Sequence, residues 1–495
     1  MPIYLLSYLA GDWSLHTREY LSSREKLVRN RGFMSIWGCI RRRLAPLYYS
    51  RFEKTPVTFQ LYEMYRAHGQ LSRQQLLDVQ FNSLKSLLLH AYDHTRYYRR
   101  LFNDCGFDPN RFESLEQLNL LPYLTKETVN TNYSDLIADN VDENNKHVSS
   151  TGGTSGAKMN FLRDNRCRAH RLAIQWRSDA WTGWEPGSNV AYVWPAAQDL
   201  SPRTTWKQKL VSQYATGVFL ISAGVLNEEI LSQIAADLCR IEPVLIRCFP
   251  SAGTVVAQYL HDHHITLPGL WGVVSTGEPV FGDQRRIIES GFGAPVFNLY
   301  ASREVGTTAV ECSQHHHLHI AVDSQVVEIV TAGKRLAPGE FGDIVITDLL
   351  NYAMPLIRYA IGDYGSLVEG DCACGLPFPL LENVVGRTGD NLRDCEGKTV
   401  VPNTLTAHLI VHGPRVGQVQ VIQNSFREVL VRMSADPAPD QAVRDFYSTN
   451  LKILLKGLEE VRFEVVDHIS YEESGKYRFT ICNIPPDMPP PGIAR

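Results

Sequence analysis

Between residues 190 and 300 the chain alternates short β-rich runs with amphipathic segments, and this alternation restricts the fold more than any other feature. NVAYVW, VFLIS, PVLIRCF, LWGVVST and APVFNLY are rich in branched and aromatic residues. NEEILSQIAADLCRIE and AGTVVAQYLHDHH, which separate several of them, repeat apolar residues at helical spacing. Strand, helix and strand in that order imply a largely parallel sheet covered by helices. Ligands bind such sheets at the carboxyl ends of the strands, and glycine or polar residues follow several of these runs directly.

The flanks read differently. A length of 495 residues predicts two to four units. From 71 to 101, Leu77, Phe81, Leu84, Leu88 and Ala91 line one helical face, and Ser72 with Gln75 forms a capping box at its start. LPYLTKETV (121–129) predicts a loop and then a helix after Thr125. Short strands with tight turns fill 320–385. After VVGRTGD comes a smaller α+β unit with strands at GQVQVIQ, EVLVRMS, VRFEVVD and YRFTIC and one helix near 440–456. The tail PPDMPPPGIAR is proline-rich and expected to be unstructured. The expected fold is α/β. A large N-terminal domain (1–386) has mixed and parallel sheets flanked by helices, a helical lead-in (1–120) and a β-rich subdomain (about 305–385). A small α+β domain (387–495) follows it.

Composition narrows the class. Hydrophobic residues make up 44% and charged residues 21%, a soluble globular balance. With 49 basic against 53 acidic residues, nucleic acid is not the expected partner. No apolar run approaches the roughly 18–20 residues that span a bilayer, and the short apolar patch at the start lacks a basic region before it. The basic, aromatic RRRLAPLYYSR reads as a solvated helix end in preference to a membrane-surface segment. Ten cysteines in a chain this long are not a disulfide scaffold. Cys39, Cys239, Cys248 and Cys482 read as small core residues, and a reducing, cytoplasmic setting is expected.

SSTGGTSGAK (149–158) joins glycines, which let successive N–H groups face one concavity, to several hydroxyls and a lysine. That suits a polyphosphate, although it lacks the Gly-Lys-Ser/Thr ending of a Walker loop and alone reads more often as a linker. Its context decides. In order along the chain, SSTGGTSGAK, VVSTGEPV, LYASREVG, PLIRYAIGDYG, GRTGD and ESGKYR resemble the adenylate-forming superfamily, in particular its phenylacetate–CoA ligase and CapK-like branch. LPYLTKETV resembles the LPxTTKE stretch before that branch's phosphate loop, and CFPS (248–251) its PS signature. The resemblance covers about residues 60–480.

The resemblance implies a two-step reaction. A carboxylate attacks the α-phosphate of ATP to give an acyl-adenylate and pyrophosphate, and a thiol, amine or hydroxyl acceptor then takes the acyl group. It implies that Thr151, Thr154 and Ser155, the backbone of Gly152, Gly153 and Gly156, and Lys158 hold the phosphates. It makes Glu304 a Mg²⁺ ligand, and sets Tyr300 and Ala301 beside the adenine and the substrate carboxylate. Asp363 would accept both ribose hydroxyls, and Glu278 of STGEPV would belong to the nucleotide-binding set. Arg387 would reach the nucleotide from the domain junction, and Lys476 would bridge the carboxylate and α-phosphate. The small domain is expected to rotate between half-reactions. Gly389 stands where many members have an acidic hinge residue, with Asp390 next to it. Thr406 stands near the place of a usual glutamate, which leaves a CoA acceptor open against an amine or hydroxyl. A nucleotide-binding assembly partner of the same fold without turnover, in polysaccharide or secondary-metabolite assembly, is the alternative reading. It would require loss of these motifs.

Two further groups stand out. EGDCACG and ECSQHHHLHI supply Cys312, Cys372, Cys374 and a histidine, a set that can close a tetrahedral structural zinc site. Some relatives in the branch carry a comparable set, whose pattern matches His319 best, with His317 as the alternative; a reduced Cys-x-Cys turn beside a solvated histidine run is the competing reading. Trp176, Trp181 and Trp184 either line an aromatic acid pocket or, as is commoner at such spacing, pack a helix.

Overall fold

The structure is a computed structural model. It describes residues 36–51, 53–150, 159–194, 213–224, 226–331, 333–382, 384 and 392–400. In the C-terminal part it describes 405, 409, 413–414, 416, 418–434, 438–466, 469, 479–485 and 488–491. Residues 151–158 of the glycine-rich run, Arg387, Gly389, Asp390, Thr406 and Lys476 lie outside this set, as do the first 35 residues and the last four.

Helices open the described chain: α1 (Ile36–Arg51), α2 (Thr58–His68), α3 (Arg73–His94) and α4 (Arg96–Asp104). The expected capping box starts α3, with Ser72 Oγ accepting from the Gln75 amide at 3.2 Å and Gln75 Oε1 accepting from the Ser72 amide at 2.8 Å. Its buried face is Leu76, Gln80, Leu84, Leu87, Leu88 and Ala91, while Leu77 and Phe81 lie half-buried beside it. The displaced stripe has a physical reason. Gln80 is buried because its Nε2 donates to the Gln325 carbonyl at 2.6 Å, so a polar residue occupies the centre of an apolar face. As expected from LPYLTKETV, α5 (Lys126–Thr131) begins after Thr125, whose side chain caps the Thr128 amide; α6 (Tyr133–Leu136) follows.

The hairpin β1 (His147–Ser150) and β2 (Asn160–Arg163) leads into α7 (Asn165–Ala180). The strands β3 (Val190–Trp194), β4 (Val218–Ser222), β5 (Leu245–Cys248), β6 (Gly272–Thr276) and β7 (Val296–Ser302) occupy the five runs read from the sequence. They lie parallel in the order β4-β3-β5-β6-β7. Helices α8 (Glu228–Ile241), α9 (Pro250–Asp262) and α10 (Gly282–Phe292) connect the later strands and bury one face through Leu238, Val256 and Ile288. The other face, with Leu245, Val274 and Phe297, packs against α7 and α2. This is the helix-covered parallel sheet that the alternation predicts.

From β7 the direction changes. β8 (Gly306–Glu311), β9 (Leu318–Ile320), β14 (Leu367–Val368) and β15 (Leu380–Leu381) extend the sheet antiparallel to nine strands. Between them in sequence, β10 (Gln325–Thr331), β11 (Lys334–Arg335), β12 (Gly342–Asp348) and β13 (Tyr359–Gly365) form a separate antiparallel sheet. The two short strands β16 (Leu392–Arg393) and β17 (Thr399–Val400) pair with each other. Strands β18 (Gln418–Gln423), β19 (Glu428–Ser434), β20 (Glu460–Val465) and β21 (Thr480–Cys482), with α11 (Gln441–Leu454), enclose a core of their own around Val421, Val431, Tyr447 and Leu451. Of the four cysteines read as core residues, Cys482 is half-buried against the core of the small unit, and the side chain of Cys39 lies outside the described set. Cys248 is buried but Cys239 is exposed, because its place on α8 turns it away from the sheet.

Candidate active site and metal cluster

Three segments meet at the carboxyl end of β7. The first is β7 itself with the turn after it, carrying Tyr300, Ala301 and Glu304. The second is β13, carrying Tyr359 and Asp363. The third is the stretch before α5, docked on β13 by a parallel bridge in which the Leu124 amide donates to the Arg358 carbonyl and the Ala360 amide to the Leu124 carbonyl, each at 2.9 Å. Arg358 secures that dock. Its buried guanidinium donates to Glu328 at 3.1 and 3.2 Å, to the Leu118 carbonyl at 2.8 Å and to the Leu121 carbonyl at 2.5 Å. A buried arginine needs such full pairing, and here its partners come from β10 and from the stretch before α5.

The side chains then engage across the segments. Tyr300 donates its hydroxyl to Asp363 Oδ2 at 2.7 Å. Tyr359 donates to Glu304 Oε1 at 3.4 Å, and Lys126 Nζ stands 4.0 Å from the same oxygen. The main chain at Glu304 is fixed from behind by Arg171 of α7, which donates to the carbonyls of Arg303 and Glu304 and to Asp348 Oδ2. Gly306 allows this approach. Its φ is +82°, and a Cβ there would lie 3.3 Å from the Arg171 side chain. A cavity of about 450 Å³ opens beside Lys126, Thr125 and Gly362.

The structure thus brings Tyr300, Ala301, Glu304 and Asp363 to one place. Glu278 follows β6, whose Thr276 pairs with Leu299 of β7; its carboxylate accepts from the amide and the hydroxyl of Ser251, each at 3.1 Å, and so anchors the first turn of α9, where Pro250 stands. Lys126, Arg171, Tyr359 and Arg358 were missed as individual residues. Lys126 and Arg358 sit within the motifs LPYLTKETV and PLIRYAIGDYG, which held the available signal; Arg171 is one of four arginines on α7, outside any motif, and gave none.

Among the described residues, the three tryptophans pack against other side chains. Trp176 and Trp184 are buried, with Trp176 packed among Tyr49, Phe59 and Tyr62. Trp181 lies against His319 and Phe378. The aromatic pair at the strand ends is instead Trp194 and Phe249, whose ring centroids are 4.7 Å apart. Phe249 rests on Gly277, where a Cβ would come within 2.5 Å of its ring.

The second cluster forms where β8 ends. Ligand atoms of Cys312, His319, Cys372 and Cys374 all lie within 4.8 Å of one another. Cys312 Sγ is 3.6 Å from Cys372 Sγ, and Cys374 Sγ is 3.4 Å from His319 Nε2. The Gln314 and Leu376 amides point at the sulfurs of Cys312 and Cys374 (3.4 and 3.5 Å), a pattern that supports thiolates. His319 Nδ1 faces the Phe378 carbonyl at 3.4 Å, which leaves Nε2 toward the thiols. Burial pushes the Cys312 thiol up to about 12, so a thiolate there needs a cation beside it. Three thiols and an imidazole in this arrangement fit a closed tetrahedral zinc site. His317 lies apart, 3.6 Å from Glu382. Among the described residues no helix is long and apolar enough to cross a membrane.

Residues 392–483 match the CapK C-terminal domain. The chain is 26% identical over 360 residues to a phenylacetate–coenzyme A ligase of Thermus thermophilus, a match covering 71% of this chain and 79% of that one. It is 22% identical over 417 residues to the protein CapK of Staphylococcus aureus, covering 83% and 90%. Among solved structures, a 2-hydroxyisobutyryl-CoA ligase in the postadenylation state superposes with a TM-score of 0.61 over 81% of this chain and 88% of that one, at 19% identity. The chain is a homologue of the phenylacetate–coenzyme A ligases and of CapK, and shares the fold of adenylate-forming CoA ligases.

Proposed function

We propose that this homologue of the phenylacetate–coenzyme A ligases and CapK activates a small carboxylic acid with ATP, releasing pyrophosphate and holding the acyl-adenylate for transfer to an acceptor thiol, that of CoA first among the candidates. The observation that carries this reading is the convergence of Tyr300, Glu304 and Asp363 on one another's segments, with Lys126 4.0 Å from Glu304.

In this reading Asp363, oriented by Tyr300, accepts the ribose hydroxyls. Glu304 is a hard oxygen ligand suited to Mg²⁺, which when bound neutralises part of the triphosphate charge. Lys126 faces the phosphates from the opposite side of Glu304. Adenylation forms a bond between the acid's carboxylate oxygen and the α-phosphorus and breaks the bond to the β-phosphate oxygen. The negative charge grows on phosphate oxygens, so fixed cations and donors supply most of the rate. Lys158 of the glycine-rich run, Arg387 at the junction and Lys476 of the small domain add to these, as the resemblance implies. The acid's side chain is expected to meet Trp194 and Phe249 at the carboxyl ends of β3 and β5. The Cys312–His319–Cys372–Cys374 set is proposed to hold a structural zinc, with no part in the chemistry. The free thiols suit a reducing, cytoplasmic setting. The domain boundary near 387 and rotation of the small domain belong to the same proposal.

The test is pyrophosphate release by the purified protein with MgATP across aromatic, aliphatic and amino acids, each with and without CoA. Release with one acid names the substrate class, and a rise with CoA identifies the acceptor. Release that CoA leaves unchanged points to an amine or hydroxyl, while a protein that binds MgATP and releases nothing with any acid contradicts the proposal.

A further inference from the structure

The parallel sheet carries a charged side chain to which neither the motifs nor the mechanism above gives a role. Arg247 stands on β5, a strand buried at every position, and pairs in register with Tyr192 of β3. It is 4% exposed, and Nη2 donates to Oδ1 of Asp179 on α7. Its Cζ lies 5.8 Å from the centre of the Tyr192 ring, and Gln175 of α7 donates to the Tyr192 hydroxyl at 2.7 Å. The Arg247 Nε is buried and has no hydrogen-bond partner among the described residues. Arg358 differs on this point, since its Nε donates to Glu328 and its other nitrogens are also engaged. A buried N–H of a charged group is costly to leave unpaired, so the Arg247 Nε calls for an acceptor from outside the chain.

Register identifies the source of that acceptor. Residues two apart on a strand share a face, so Trp194 and Phe249 lie on the face of Tyr192 and Arg247, one row nearer the carboxyl ends. The ring contacts agree, with centroids 5.9 Å apart for Tyr192 and Trp194 and 4.7 Å apart for Trp194 and Phe249. The two rows are separated by about 7 Å, the rise of two strand residues. An acid activated at the strand ends, with its body along Trp194 and Phe249, therefore meets the guanidinium with the group it carries at its far end. Resting on the ATP-dependent reading above, we propose that Arg247 is a specificity-determining residue and that the acid carries a neutral oxygen, such as a hydroxyl, remote from its reacting carboxylate. A para-hydroxylated aromatic acid is the simplest such molecule. The oxygen is neutral because Asp179 already balances the guanidinium, and a second carboxylate would bring an uncompensated charge into a buried row.

Pyrophosphate release with MgATP tests this in the full-length protein on matched acids: benzoate, phenylacetate, cinnamate and hexanoate, each against its distal hydroxyl and distal carboxyl counterparts. In the wild type, kcat/KM is expected to be about tenfold or more higher for the hydroxyl acid, the worth of a hydrogen bond to a charged donor. Arg247→Lys keeps a cation beside Asp179 but lacks the Nε–H. It should bring that ratio close to one while still turning over the unsubstituted acid. A purely structural arginine would lower both rates together and leave the ratio intact, a result that overturns the assignment. So would a wild type that prefers the unsubstituted or the dicarboxylic acid. Should the lysine variant fail to fold, Arg247→Met with Asp179→Asn, which removes the ion pair as a whole, carries the same comparison. A protein that binds MgATP and releases pyrophosphate with no acid contradicts the functional reading itself. Release confined to acids without a distal oxygen contradicts this assignment alone.

Discussion

The Tyr300 hydroxyl donates to Oδ2 of Asp363 across 2.7 Å and so ties the end of β7 to β13, strands that belong to different sheets. A carboxylate oriented in this way presents its remaining lone pairs in a fixed direction, as hydrogen bonding to a ribose diol requires.

Removing that hydroxyl should therefore act on nucleotide affinity more than on folding. For Tyr300→Phe we expect the KM for ATP to rise by about threefold to tenfold, the equivalent of one ordinary hydrogen bond. Asp363→Ala should raise it further, since it removes the acceptor itself. Steady-state kinetics at saturating acid checks both, and a Tyr300→Phe enzyme with unchanged KM would mean that Asp363 needs no orientation.

Much of this was legible in the sequence, for a reason visible in particular residues. The parallel strands announce themselves because both faces are buried, leaving runs such as GVVST without a charged residue and buried at every position. Glu304 and Asp363 lie in short motifs where chemistry restricts the neighbours. What the sequence hid are contacts between distant segments: Arg171 to Glu304, Arg358 to Leu118, and Gln80 to Gln325. No local periodicity encodes which carbonyl a buried arginine will reach. The tryptophans show the opposite problem: their spacing admits a pocket wall as well as the commoner helix-packing face, and only the fold shows Trp176 and Trp184 buried and Trp181 against His319 and Phe378.

Arg171 and Asp348 offer a stability test. Both are buried, and the arginine also serves two carbonyls. Replacing it by methionine leaves Asp348 uncompensated in the interior, at a cost of about 3–5 kcal/mol. Denaturant titration should show that loss. Arg171→Met with Asp348→Asn should lose less than the sum of the single changes, because the charge left unpaired in the first variant is gone.

The metal cluster predicts one zinc per chain by elemental analysis of protein purified without added chelator. His319→Ala and Cys374→Ser should lose the ion and lower the melting temperature, while His317→Ala should keep it, because His317 lies toward Glu382. Zinc retained by the His319 variant, and lost by the His317 variant, would reverse the assignment.

Lys476→Ala separates binding from chemistry. If this lysine bridges the carboxylate and α-phosphate during adenylation, its loss should reduce acid-dependent pyrophosphate release by about 10²–10³-fold, the range seen when one transition-state donor is removed. MgATP affinity should hardly change. Equal rates for variant and wild type would remove Lys476 from the mechanism.

His170 makes stability depend on pH. Burial, with Arg166 nearby, holds its imidazole down at about 4 against an ordinary value of 6.5, and Nδ1 lies 2.7 Å from the Tyr65 hydroxyl. Because the folded-state value is the lower one, the unfolded chain binds more protons between these limits. The contribution to stability is thus complete above pH 6.5, declines as pH falls toward 4, and is gone below that. A fully desolvated group would give a slope of about 1.4 kcal/mol per pH unit in that window, and this ring, partly accessible to solvent, should give less. Carboxylates elsewhere also respond to acid, so the informative quantity is the difference between proteins. Urea midpoints measured from pH 4 to 7 should fall less steeply for His170→Gln, which can still pair with Tyr65 but does not titrate. Parallel curves for the two proteins would assign the acid sensitivity to other groups.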